Sequence, residues 1–165
     1  MKTYDWTVVG AGITGSALAY ELAKAGFSVL LLERHATLQG PTRFGYGGLA
    51  FWSGTTELTT QICAEGIVLH RTLSTELDGD TQFRELDLVL TIAPDADPTA
   101  MANSYAHFAI PPQLLSVADA CALEPLLNPA AIAGALTVKH GHISPGATAR
   151  AYTEAFVRLG GMVQV

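Results

Sequence analysis

Hydrophobic positions change their spacing along the chain, and each change predicts an element. From Tyr4 to Val9 the residues are β-prone and lead into glycine, and from Ile13 to Ala25 small and apolar residues recur at helical spacing. Phe27 to Leu32 is a nearly unbroken apolar run, which predicts a strand buried on both faces of a parallel sheet. Together they make a β-α-β unit in about 30 residues, the length such a unit requires. Residues 34–54 lose the periodicity and carry Gly40, Pro41, Gly45, Gly47, Gly48 and Gly54, which predicts a long ordered loop of a kind that often serves function.

Leu58, Ile62, Leu69, Leu73 and Leu77 fall on one helical stripe, predicting a helix over about 55–78 that packs by this face and stops at Asp78 and Gly79. A strand over Leu86–Ala93, a short helix over Thr99–Phe108 and a break at Pro111 and Pro112 follow. Ser116 caps a helix that runs to Glu124, and Ala131–Lys139 reads as another strand. Ser144 and Pro145 have the chemistry of N-cap and N1. The helix they start shows Tyr152, Ala155, Phe156 and Leu159 on one face, and Gly160 and Gly161 end it before a strand begins at Met162.

The predicted class is α/β: a Rossmann-like nucleotide-binding domain with a parallel sheet, and an interleaved, partial α+β substrate domain. Residues 1–54 and 140–165 are assigned to the first and 55–139 to the second.

Composition narrows the function classes. The chain of 165 residues is 49% hydrophobic and 15% charged, which fits a folded core and excludes a low-complexity chain. Its net charge of −6 has no cluster of Lys and Arg suited to a nucleic-acid backbone, so nucleic acid is not an expected partner. Cys63 and Cys121 stand apart from any disulfide or zinc spacing, and His140 and His142 have no third ligand at metal spacing, so no metal is expected. The two histidines read as turn residues between strand and helix, while His70 and His107 read as ordinary partly buried helix residues. Asp95 and Asp97 read as solvated turn acids. No run approaches the roughly 20 apolar residues of a membrane span, and a cytoplasmic protein is expected.

The chemistry lies between the first two strands, in Gly10-Ala11-Gly12-Ile13-Thr14-Gly15. Gly10 suits a tight turn, Gly12 a close approach of backbone to a pyrophosphate, and Gly15 close packing of helix on strand. The first helical turn then offers N–H groups and a positive dipole end to phosphates. Glu33, at the end of the second strand, is placed to accept from ribose hydroxyls and to repel the extra phosphate of NADP; Arg34 follows it. The unit alone serves FAD and NAD equally, since both carry ADP. Its position near residue 1 and the Thr and Gly pattern of the following loop favour FAD.

The sequence resembles the FAD-dependent amino acid oxidases and dehydrogenases of the D-amino acid oxidase, glycine oxidase and sarcosine oxidase type. The resemblance rests on Val8 to Gly15, Leu30 to Arg34, Thr42 with Gly47-Gly48-Leu49, Leu114-Leu115, Leu123-Glu124-Pro125 and Gly141 to Pro145. It implies that Thr42 and Arg43 meet the phosphate side of FAD, and Gly47, Gly48 and Leu49 its flavin side. It also implies oxidation of a CH–NH group of an amino acid or amine. Sarcosine-type members carry basic residues after the loop threonine, where this chain has Gly45, Leu49 and Trp52, so an N-methyl substrate is less favoured. Trp52, Phe51 and Tyr46 suit a pocket wall and a packed core equally well.

Family chains are about twice as long. An alternative expectation is therefore an N-terminal piece, or one component of a split flavoprotein, that binds FAD only with a partner. Bare apolar surface would then favour association with a missing C-terminal half or with itself. An NAD-dependent dehydrogenase is the remaining alternative.

Overall fold

In the computed structural model, which describes residues 2–165, the first β-α-β unit forms as β1 (Trp6–Val9), α1 (Ile13–Lys24) and β2 (Val29–Leu32). The glycine-rich loop contains a short helix α2 (Gly40–Phe44) and a short strand β3 (Gly48–Leu49). Then come α3 (Glu57–Glu76), β4 (Arg84–Ile92), α4 (Pro98–Ser104), β5 (Gln113–Leu115) and α5 (Val117–Leu123). The chain closes with β6 (Gly134–His142), α6 (Pro145–Arg158) and β7 (Met162–Gln164).

One compact unit comprises 2–48, Leu69–Arg84 and His142–Val165. Its sheet has the order β1-β2-β7, with both pairings parallel, Val8 beside Leu31 and Leu31 beside Val163. Val8, Val29 and Leu31 pack with Tyr20, Leu73, Leu77, Tyr152 and Phe156 into one core. Helices α1 and α6 meet through small residues: Ala19, Ala151 and Ala155 belong to that core, and Thr153 Oγ1 donates to Ser16 Oγ at 3.0 Å. Small side chains let the two backbones approach, so the nucleotide strands gain a tight cover. Ser144 caps α6 by accepting from Ala147 N at 3.3 Å, with Pro145 in the first helical position, as its sequence predicts.

The other unit comprises Leu49–Val68 and Glu85–Gly141. Its strands belong to a sheet of order β3-β6-β4, with β5 antiparallel to β6. Ala120, Ile132 and Ala135 form a small core, and Trp52 stacks edge-on against Phe108 at 5.5 Å. Asp97 and Ser116 cap α4 and α5 through backbone N–H groups. The acid at 97 thus does the work of a helix cap rather than standing free in a turn.

Three expectations need correction. The compact units meet along the chain at 48/49 and 141/142, and Leu69–Arg84 belongs to the nucleotide unit. The reason is that Leu73 and Leu77, at the end of α3, are fully buried in its core. The leucine stripe therefore does not pack along its length: Leu58, Ile62 and Leu69 are exposed. The strand at 131–139 runs on to His142, so His140 and His142 are strand residues rather than turn residues. His140 is buried and accepts at Nδ1 from Trp52 Nε1 at 3.1 Å, which resolves Trp52 as a packing residue. Finally, α2 and β5 lie where only a loop and a proline break were legible, because five and three residues give no readable period.

Candidate functional site

Gly10 turns the chain between β1 and α1 with φ +98, a conformation that disfavours every residue with a side chain. A Cβ on Gly15 would lie 1.9 Å from the Gly10 carbonyl oxygen, so the helix can sit this close to the turn only without one. The first turn of α1 carries no acidic residue and Gly12 provides no side-chain cap. Apart from Ile13 N, which donates to the Thr42 hydroxyl, its first-turn backbone N–H groups are therefore available to an anion.

Glu33 follows β2 and is half-buried. Its Oε2 accepts from Ala11 N at 2.7 Å, and its Oε1 from Arg34 N at 2.8 Å and His35 N at 3.1 Å. Those bonds, led by the one from Ala11, hold the carboxyl below the ordinary range of glutamate, so it is ionised at neutral pH. The same bond ties the end of β2 to the glycine turn.

Thr42 comes from α2, far along the chain, yet its Oγ1 accepts from Ile13 N at 3.1 Å. A Cβ on Gly12 would approach that hydroxyl to 2.9 Å. The loop threonine thus lies directly over the N-terminus of α1. Arg43 is exposed, with Nη1 on Gln39 Oε1 at 3.3 Å and its guanidinium over the Phe44 ring. Arg34 is also exposed and donates from Nε to His35 Nε2 at 3.0 Å.

Gly47 has φ +80, and a Cβ there would fall 2.0 Å from the Ile143 carbonyl oxygen, while Ile143 N donates back to the Gly47 carbonyl at 3.0 Å. The glycine is required by this clasp. A Cβ on Gly48 would strike the Tyr46 ring at 2.1 Å, so Tyr46 lies over Gly48. Leu49 is the first residue of the other unit and packs on Gly141 there.

Of the residues nominated from sequence, Gly10, Ala11, Gly12, Ile13, Thr14, Gly15, Glu33 and Thr42 come together around one helix end. Arg34 and Arg43 are nearby but bonded to chain neighbours. Two cavities border the cluster. One of about 210 Å³ is lined by Ala11, Glu33, Arg150, Thr153, Glu154 and Val165, among others. A second of about 460 Å³ includes Thr42, Arg43, Ser144 and Arg150 in its wall. Arg150 lines both cavities and was not nominated from sequence, because only its position on α6 was legible there.

Glycines that give room, a helix end without acids, a hydroxyl above it and an ionised carboxylate at the strand end fit the ADP half of a dinucleotide. The fold and this cluster define a dinucleotide-binding α/β protein. The chain belongs to the FAD-dependent oxidoreductase family, the DAO family, whose model matches residues 5–164. FAD is accordingly its cofactor.

Among solved structures, it is similar to glycine oxidase from Geobacillus kaustophilus, with a TM-score of 0.87 and 25% identity over 98% of this chain and 46% of that one. It is also similar in fold to the L-alpha-glycerophosphate oxidase of Mycoplasma pneumoniae with FAD bound, with a TM-score of 0.79 and 22% identity over 99% of this chain and 45% of that one. Among curated proteins, the tRNA 5-methylaminomethyl-2-thiouridine biosynthesis bifunctional protein MnmC of Chromohalobacter salexigens is 32% identical over 115 residues, 68% of this chain and 16% of the relative. The chain thus spans less than half the length of each of these proteins. Among the described residues no three His, Cys, Asp or Glu gather as a metal site, and no helix is long and apolar enough to cross a membrane.

Proposed function

We propose that this chain supplies the ADP-binding part of a flavoenzyme that oxidises a CH–NH group of an amino acid or related amine, with hydride passing to the flavin. The observation that carries the reading is the convergence of Thr42, Glu33 and the glycine turn on the N-terminus of α1. In this reading, Gly10 to Gly15 and Thr42 face the diphosphate, and Glu33 accepts from the ribose hydroxyls. Arg34 and Arg43 flank them, and Gly47, Gly48 and Leu49 lead toward the flavin end.

Bound FAD supplies the electron sink, and the protein's part is to bind, orient and exclude water. The preference for an amine rests on likeness to an oxidase named for glycine. The competing substrate class is a phosphorylated alcohol, supported by likeness to an oxidase named for glycerophosphate.

The partner in this reading is the remaining polypeptide of a DAO-type fold. Val9 is 81% exposed and Met162 is 40% exposed on one face of a parallel sheet, a class of sheet that is nearly always covered on both sides. Its counterpart would bring the substrate-positioning groups, and a cytoplasmic setting fits the two unpaired cysteines.

The test is to load the chain with FAD in the presence of that polypeptide, remove oxygen, and add glycine or glycerol 3-phosphate. Bleaching of the visible flavin band by an amino acid supports the reading. Bleaching by glycerol 3-phosphate alone replaces the substrate class, and NAD binding by a colourless chain overturns the cofactor role.

A further inference from the structure

Three arginines lie near the nucleotide cluster, and they differ in how they are engaged. Arg34 is bonded to His35, and Arg43 to Gln39 with its guanidinium on Phe44. Among the described residues Arg150 has no hydrogen-bond or ion-pair partner, and it is exposed between two buried alanines of α6, Ala149 and Ala151. It also lines both cavities.

The two cavities have opposite electrostatic character. The smaller one has Glu33 and Glu154 in its wall, two carboxylates that would repel a phosphate but suit sugar hydroxyls and an amino group. The larger one has Arg43 and Arg150, the hydroxyls of Thr37, Thr42 and Ser144, and no carboxylate among its lining residues. Thr42 links that cavity to the helix end, because its hydroxyl meets Ile13 N. A dianion fits the second cavity and its sugar-base extension fits the first, with Arg150 at the junction.

We infer that Arg150 is the principal cationic contact for the diphosphate of FAD, acting opposite the N-terminus of α1, while Arg43 has a lesser part. This rests on the FAD reading above. A guanidinium is always charged, offers five donors in a fixed fork, and holds a phosphate better than an ammonium does. Bound to no other described residue, it gives up no bond among them to reach the anion.

The experiment uses the full 165-residue chain and titrates FAD, ADP and adenosine by fluorescence and calorimetry at low and high salt. The Arg150→Gln variant is expected to lose roughly tenfold or more in affinity for FAD and ADP, to keep its affinity for adenosine, and to show a weaker salt dependence. Arg150→Lys should fall between parent and Arg150→Gln, and Arg43→Gln should lose less than Arg150→Gln. Unchanged melting temperatures establish that each variant is folded. An Arg150→Gln chain that binds FAD as tightly as the parent overturns the assignment, as does one that loses adenosine equally. A parent chain that binds neither FAD nor ADP, alone or with the remaining polypeptide, overturns the cofactor reading, and this assignment with it.

Discussion

The two faces of the β1-β2-β7 sheet carry similar residues and meet different fates. By register and strand alternation, Trp6, Val8, Val29, Leu31 and Val163 share one face, and Thr7, Val9, Leu30, Leu32, Met162 and Gln164 share the other; Trp6, at the strand's edge, is half-exposed. On the first, Val8 is 8% exposed and Leu31 is wholly buried beneath the helices; on the second, Val9 is 81% exposed and Leu30 and Leu32 are only half-buried. Complete burial of a Val or Leu stabilises by about 1.5–3 kcal/mol. The covered face therefore contributes the stability of this unit, while the bare face is apolar without benefit to the chain alone. In the proposed reading its hydrophobicity fits a second covering layer, the same arrangement that its near-continuous apolar run predicts.

On the covered side a single substitution costs most. Phe156 is fully buried in the same core as Leu31. Phe156→Ala should cost about 3–5 kcal/mol in urea denaturation, whereas Val9→Ala should change stability by less than about 0.5 kcal/mol. Equal losses would remove the distinction between the faces.

Gly15→Ala comes next in size. Its methyl group would meet the Gly10 carbonyl oxygen at 1.9 Å, so the turn must open. The expected cost is about 1–3 kcal/mol together with loss of FAD binding, both read from one titration series. Retained binding would show that the helix and turn need not pack so closely.

Tyr152 sharpens the same picture through pH. Burial, followed by the charge of Glu21 and Glu76, pushes its phenol up to about 12. A folded-state value above the ordinary 10 means that its contribution to stability is complete below pH 10 and is lost as pH rises from there toward 12. Tyr152→Phe should flatten that alkaline loss in melting experiments, and a variant as alkali-sensitive as the parent would place the titration elsewhere.

The smallest effect belongs to the bare face. Val9→Thr should leave the melting temperature almost unchanged yet reduce self-association in light scattering, because it removes apolar surface rather than packing.

How far these features were legible in the sequence follows from what carries a period. The glycine turn, Glu33, and the Ser144-Pro145 helix start are local signals, and each stands where its residues put it. The face of a helix or strand was legible too, but not what covers it: Leu58 and Leu73 share one stripe and differ entirely in burial. Thr42 was nominated by resemblance, and only the fold brings its hydroxyl to Ile13 N across 29 positions of sequence. Arg150 gave no local signal at all. The role proposed for it depends on two cavities that it lines from α6, which no spacing encodes.

The central claim is that this chain builds the ADP cradle of an FAD enzyme. It is tested most directly by titrating the purified chain with FAD while ADP, riboflavin and NAD compete. The account predicts one FAD per chain, displaced by ADP and far less by riboflavin, with Glu33→Gln weakening FAD more than it weakens riboflavin. Displacement by riboflavin alone, or preferential binding of NAD, would contradict it.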